Sequence, residues 1–324
     1  MTTTSLNKPA TASATPVTTK AFNSGGGWQR WQQKAAPYLF VAPFLILFAI
    51  FGIYPLVKSL TLAFYATAGP KDSAYVGTAN FAFLLRDADF FKAVGNTAKY
   101  AFWSIFLQLP LALGLAILMT QPWLKAKEFY RWAIFSPNLM GQVFVGVLFS
   151  KIFQPQFGIL NRFLEWASGG AFNADTKWLS DPALVMPALI ITSLWMYVGY
   201  NMIYFLAALQ GVDKELYEAA RVDGAGAWDQ FLHVTIPGIK PVLVFVLVTA
   251  TMGSFQLFEL PQLLLGGGGP DNAGLTVMMY MYNNGFVNGD LGFAAAVGWT
   301  LSLGILCLSL VQVVLTGGFK KASD

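Results

Sequence analysis

A chain of 324 residues that is 56% hydrophobic, only 11% charged and +4 in net charge lies far from soluble globular usage, where about a quarter of residues are charged. That composition makes the bilayer its main solvent, and so small a basic excess needs no nucleic-acid partner to explain it. The single cysteine, Cys307, excludes an internal disulfide and a multi-cysteine metal site.

Residues 1–27 are rich in Thr, Ser and Ala, close on Gly25-Gly26-Gly27 and lack an apolar h-region, so they predict a flexible cytoplasmic tail rather than a signal peptide. Trp28, Trp31, Gln32, Gln33 and Lys34 predict a short helix over 28–37 at the headgroup level, where indole rings settle. Six apolar stretches follow, at residues 38–62, 96–119, 132–153, 183–207, 240–264 and 292–316. Each has the roughly 20 residues that a helix needs to cross the hydrocarbon. An even number of spans puts both termini, including the short tail 317–324, on one side. Lys and Arg outside the spans are more numerous on that side, so the positive-inside rule makes it cytoplasmic. Pro55, Pro110, Pro137, Pro187 and Pro241 lie within or beside the spans and predict kinks around a central cavity. Trp103, Trp132 and Trp178, near span ends, read as interfacial anchors.

Polar groups inside spans are costly and therefore mark a cavity or a partner helix. The third stretch carries Gln142, the fourth Tyr197, Tyr200 and Asn201 beside Trp195 and Gly199, and the end of the fifth Ser254, Gln256 and Glu259. Aromatic rings stack on the apolar faces of sugar rings while amides and carboxylates bond hydroxyls, so the set suits a carbohydrate. Glu259 either contributes to solute specificity or pairs with a partner chain near the outer rim.

Between the fourth and fifth stretches lies a polar island. Asp213 can cap a helix whose early turns hold Glu215 and Glu218; Leu216, Ala219, Ala220 and Asp223 share a narrow face, and Gly224 is placed to end the helix. A second short helix is expected over Ala227–His233, before Pro237 and Pro241 restart the chain into the membrane. The lone His233 reads as a surface contact. No Gly-x-x-x-x-Gly-Lys-Ser/Thr stretch occurs, and Gly317-Gly318-Phe319-Lys320-Lys321 has the wrong spacing.

Glu218, Ala219, Ala220 and Gly224, followed after nine residues by Val234, Ile236 and Pro237, resemble the EAA loop of binding-protein-dependent ABC importer permeases. Gly77 to Asn80-Phe81, Asn96-Thr97, and Gly267-Gly268-Gly269-Pro270 ahead of Thr276–Tyr282 and Phe286 are similar to ordered elements of the sugar-importing, maltose and glycerol-phosphate type. The resemblance implies an all-α integral membrane fold of the type I importer permease class, with six transmembrane helices, in a bacterial inner membrane. It implies no catalysis and no cofactor on this chain, ATP and Mg belonging to partner ATPase subunits. Implied partners are a similar second permease, two copies of that ATPase, an external solute-binding protein and membrane lipid. Glu218, Ala219, Ala220, Asp223, Gly224 and Pro237 then couple to the ATPase. Gln142, Tyr197, Tyr200, Asn201, Ser254, Gln256, Phe258 and Glu259 line the substrate path, for sugars or oligosaccharides that include acidic ones such as alginate fragments. The alternatives are half of an ion-coupled secondary transporter, for which Glu259 is almost the only titratable candidate in the spans, and a membrane enzyme, for which no metal cluster or Ser/His/Asp set is evident.

Overall fold

The computed structural model describes residues 27–69 and 72–317, so the tails expected over 1–26 and 318–324 lie outside the described residues. The chain divides after Val57 into two units. In the first, α1 (Gly27–Phe48) passes through a π-turn at Ala49–Ile53 into α2 (Tyr54–Leu62), whose later residues open the second. The segment 28–37 forms the first turns of α1 rather than a separate helix.

The second unit continues with a hairpin of β1 (Tyr65–Ala68) and β2 (Asp72–Tyr75), paired antiparallel from Tyr65 opposite Tyr75 to Ala68 opposite Asp72. Then come α3 (Ala79–Leu84), α4 (Ala88–Thr120), α5 (Lys127–Phe135), a 3₁₀ turn at Ser136–Leu139, α6 (Gln142–Ile152), α7 (Ile159–Ala167) and α8 (Pro182–Gln210). After α9 (Lys214–Val222) and α10 (Ala227–Gln230), a π-turn at Phe231–Thr235 leads into α11 (Ile236–Phe255). The unit closes with α12 (Glu259–Leu265), α13 (Val277–Tyr282) and α14 (Leu291–Leu315).

Among the described residues, five helices are long and apolar enough to cross a bilayer: Lys34–Leu62, Ala88–Thr120, Pro182–Gln210, Ala227–Phe255 and Leu291–Leu315. The third apolar stretch is instead a broken pair, Lys127–Leu139 and Gln142–Ile152, bent by 100°; counted as one span, it makes the sixth. The fifth stretch also differs from the straight span expected over 240–264. Its helix stops at Phe255, Phe258 leaves helical geometry (φ −134, ψ −55), and Glu259–Leu265 forms a helix of its own. An unbroken apolar run sets membrane depth but not helix continuity. The Leu257 carbonyl released by the break accepts a bond from Thr276 Oγ1 at 2.7 Å, which is what makes an interruption tolerable away from water.

No separate helix ends at His233. Ala227–Phe255 runs as one rod, because the π-turn absorbs Pro237. A proline lacks the N–H for the i−4 bond and its ring crowds that turn. Here the residue before it, Ile236, donates its N–H five residues back to the Phe231 carbonyl, widening the turn. The same device recurs at Pro55, where Tyr54 N–H reaches the Ala49 carbonyl. Pro110, Pro187 and Pro241 sit inside unbroken α4, α8 and α11.

The unit is organised along α4. Its buried residues Ala93, Thr97, Ala101, Ser104, Gln108, Ala112 and Ala116 recur at spacings of three and four, a stripe of mostly small side chains that lets α8 approach closely. Ser104 and Ser193 hydroxyls meet across that seam at 3.3 Å. Buried clusters lie at three levels of α4: Phe90 and Ala93 with α13 and α14; Tyr100 with α6, α8 and α12; Ala112, Ala116 and Met119 with Met202, Phe205, Ile239 and Val246. Trp178, expected as an interfacial anchor, is buried. Its Nε1 donates to Asn161 Oδ1 at 2.6 Å, while Trp103 and Trp132 are exposed.

The three short elements noted around residues 80, 96 and 270 prove to be backbone pins. Asn80 Nδ2 donates to the Ala63 and Tyr65 carbonyls, each at 2.9 Å. Asn96 Nδ2 donates to the Asn272 and Leu275 carbonyls at 2.9 and 3.1 Å. Thr97 Oγ1 accepts from the Val277 N–H at 3.1 Å and donates to the Ala93 carbonyl. Close by, the Tyr280 hydroxyl donates to Asp87 Oδ2 at 2.7 Å; burial first, then this carboxylate, holds the phenol above its ordinary pKa, so it stays a donor. Replacing Asn96 by Ala leaves two carbonyls without their donor and should cost about 1–3 kcal/mol. The expected result is a lower thermal unfolding midpoint of the detergent-solubilised protein; an unchanged midpoint would show that Asn96 pins nothing.

Candidate functional site

A cavity of about 530 Å³ opens among α4, α6, α8, α11 and α12, within the roughly 300–1,000 Å³ typical of small-molecule sites. Two helix interruptions feed it. At the first, the chain leaves α5 through Ser136–Leu139 and re-enters helix at Gln142. At the second, Gln256, Leu257 and Phe258 bridge α11 and α12. Non-helical backbone at membrane depth is sustainable where it lines such a cavity.

The position of Gln142 follows from a close approach on the far side of α8. Gly199 lies opposite Tyr197, Tyr200 and Asn201 by helical periodicity, and a Cβ added there would collide with the Ile134 carbonyl and the Phe135 backbone at the end of α5. With no side chain in the way, α5 rests on α8 just before the break. Gln142 Nε2 then donates to the Tyr197 hydroxyl at 3.3 Å. One turn on, the Tyr200 and Tyr204 hydroxyls meet at 2.9 Å.

The structure brings together every residue placed on the substrate path from sequence: Gln142, Tyr197, Tyr200, Asn201, Ser254, Gln256, Phe258 and Glu259 all line this one cavity. Sequence reasoning missed Tyr100 and Gln108 on α4, Thr249 on α11 and Met278 on α13, which line it too. Gln108 was findable, being an amide in the middle of an apolar run; nothing in the sequence marks Tyr100 or Met278. Gln108 and Asn201 are only 6% and 5% exposed, and among the described residues neither makes a side-chain hydrogen bond. Their amide atoms are not among the buried unpartnered ones; they keep access to the cavity they line and are free to meet a polar solute there.

The second candidate region is the turn between α9 and α11. Asp213 caps α9 by accepting from the Glu215 N–H at 2.9 Å. The helix ends in a Schellman arrangement: Ala225 N–H bonds the Ala220 carbonyl at 2.9 Å and Gly224 N–H the Arg221 carbonyl at 3.1 Å. That closure needs a left-handed residue, and Gly224 supplies it with φ +82. A hydrogen bond of 3.0 Å between the Tyr217 and Thr235 hydroxyls fastens α9 to the rod that continues as α11. Glu218, Ala219, Asp223, Gly224 and Pro237 are exposed and Ala220 half-buried. Val222, Trp228 and Leu216, not singled out from sequence, add exposed apolar surface to the same turn. Exposed apolar side chains among charged ones make this turn the candidate docking surface.

Residues 33–321 match the family described as binding-protein-dependent transport system inner membrane component. The chain is 35% identical, over 96% of its length and 97% of the relative's, to the arabinooligosaccharides transport system permease protein AraP of Bacillus subtilis (strain 168). It is 36% identical, over 85% of its length and 92% of the relative's, to the lactose transport system permease protein LacF of Rhizobium radiobacter. Its fold is similar to that of a chain in the crystal structure of a bacterial alginate ABC transporter in complex with an alginate pentasaccharide-bound periplasmic protein. The TM-score is 0.78 at 23% identity, covering 92% of this chain and 99% of that one, a likeness that speaks for the fold alone.

Two glycines near the cavity should behave oppositely. Gly199→Ala forces α5 off α8 and should cost about 1–3 kcal/mol in overpacking, whereas Gly253→Ala points a methyl into open space and should be tolerated. The measurement is the yield of monodisperse protein from the membrane; equal yields would remove the close approach from the account of the site.

Proposed function

The chain belongs to the family of binding-protein-dependent transport system inner membrane components, and on that premise we propose that it forms half of the translocation path of an ATP-driven importer of sugars or oligosaccharides. As a member it is a non-catalytic, multi-pass subunit of the inner membrane, and the ion-coupled and enzymatic alternatives are set aside. The observation that carries the substrate reading is the cavity lining. Amides from Gln108, Gln142, Asn201 and Gln256 and hydroxyls from Ser254 and Thr249 surround a space edged by Tyr197, Tyr200 and Phe258, donors and acceptors for sugar hydroxyls beside rings for sugar faces. Relatives named for arabinooligosaccharide and lactose transport support the same class. At this level the class includes acidic saccharides such as alginate fragments.

In this reading both termini and the α9–α10 turn face the cytoplasm. Two ATPase subunits, which bind the ATP and Mg, grip the turns of this chain and of a similar second permease, and an external binding protein delivers the solute. Glu218 reaches a basic group of the ATPase, and Ala219 and Ala220 allow its close approach. Asp223 and Gly224 shape the turn and Pro237 the re-entry. Nucleotide-driven closure then displaces α9 and the α10–α11 rod as a body, alternating access to the cavity.

The reconstituted importer tests the lever. Placing Val at Gly224 forces a β-branched residue into left-handed geometry at a cost of about 1–3 kcal/mol, which, borne by the transport step, is roughly 5- to 150-fold in rate. Solute uptake and solute-stimulated ATP hydrolysis should fall together in Gly224→Val; if both hold at wild-type levels, the turn is not the coupling element.

A further inference from the structure

We propose that this chain's share of the cavity discriminates by charge: it admits uncharged saccharides and rejects acidic ones, with the Glu259 carboxylate as the specificity-determining group. The inference rests on the saccharide reading above and narrows it.

Among the described residues, Glu259 is the one charged side chain in the cavity lining. Its residue is exposed there, and it makes no ion pair: the two among the described residues join Glu128 to Arg131 and Glu165 to Arg162, outside the cavity lining. No Lys, Arg or His among the described residues lines the cavity. A site built for uronates or phosphates needs a cation, and most effectively an Arg fork that takes both carboxylate oxygens. This lining offers neutral amides, and those of Gln108 and Asn201 face the cavity with no hydrogen-bond partner among the described residues. A neutral sugar hydroxyl donates to Glu259 and satisfies these amides together. A solute carboxylate brought about 5 Å from Glu259, in surroundings of effective dielectric about 20, is disfavoured on the order of a hundredfold.

The test uses the assembled importer in nanodiscs, without its binding protein, so that only the membrane cavity chooses. Trisaccharides are supplied in matched pairs, an alginate or galacturonate trimer beside its carboxyl-reduced neutral form, together with arabinotriose, and binding is measured by calorimetry. Wild type should prefer the neutral member of each pair by tenfold or more. Glu259→Gln should collapse the preference, mainly by strengthening the uronate, and Glu259→Lys should reverse it. Equal binding of both members by wild type, as a partner-chain cation neutralising Glu259 would produce, overturns the charge filter and leaves the sugar importer standing. So does a preference unchanged in Glu259→Gln. Failure of every saccharide to bind wild type overturns the charge filter, and the sugar reading falls only if the complete importer, binding protein included, also takes up none of them.

Discussion

Where a helix is interrupted inside hydrocarbon, amide and carbonyl groups are released that lipid cannot satisfy, and among the described residues the apolar stretches are interrupted at Ser136–Gly141 and at Gln256–Phe258. The second lines the cavity, and the first ends beside it at Gln142. At the second, the released Leu257 carbonyl is met by Thr276, itself held in a segment that Asn96 and Thr97 fasten to α4. The geometry of the cavity therefore depends on side chains that never touch it. Asn96 pins the loop, the loop presents Thr276, and Thr276 stabilises the break that aims Gln256, Phe258 and Glu259. The first break is held from outside as well, by the absence of a side chain at Gly199.

This dependence explains how the sequence could be read and where it could not. The apolar stretches located five candidate spans and the bent pair that makes a sixth if counted as one, because transfer energy accumulates over about 20 residues. The polar residues inside them showed the cavity, because each is too costly in lipid to be there without reason. Asn80, Asn96 and Thr97 were legible as markers of a family but not as pins, since their acceptors are backbone carbonyls that have no sequence signature. The break at Gln256–Phe258 was illegible for a related reason. It lies in an apolar run with no Pro or Gly between Ser254 and Leu260, and its stabilising hydroxyl is 19 residues away along the chain. Prolines misled in the opposite direction. Pro237 reads as a restart in sequence, yet a π-turn carries the helix through it.

That continuity bears on the proposed coupling. From Ala227 to Phe255 the chain is a single rod of 29 residues, about 43 Å long at the α-helical rise, leading from the exposed turn to the second break. Were α10 a separate helix, as the prolines imply, a push on the turn would be lost in a hinge at Thr235. Instead Thr235 is buried and bonded to Tyr217 on α9, which stiffens the joint. The rod's far end carries Ser254, and beyond it Gln256, so displacement of the turn reaches the cavity as displacement of its own lining.

A rod that moves must also keep its polar groups satisfied against its neighbours, and here the contacts of α11 are uneven. Against α14 it has a direct side-chain tie, Gln312 Nε2 donating to Thr251 Oγ1 at 2.8 Å, while Thr251 donates in turn to the Leu247 carbonyl. Against α4 and α8 its buried contacts, through Ile239 and Val246, are apolar. Breaking a buried hydrogen bond strands both groups, whereas apolar surfaces can slide with little loss so long as they stay covered. Under the proposed lever, α11 therefore carries α14 with it and shears against α4 and α8. That motion shifts Ser254 and Gln256 relative to Gln108, Tyr197 and Asn201, and so separates the two sides of the site that would hold a solute.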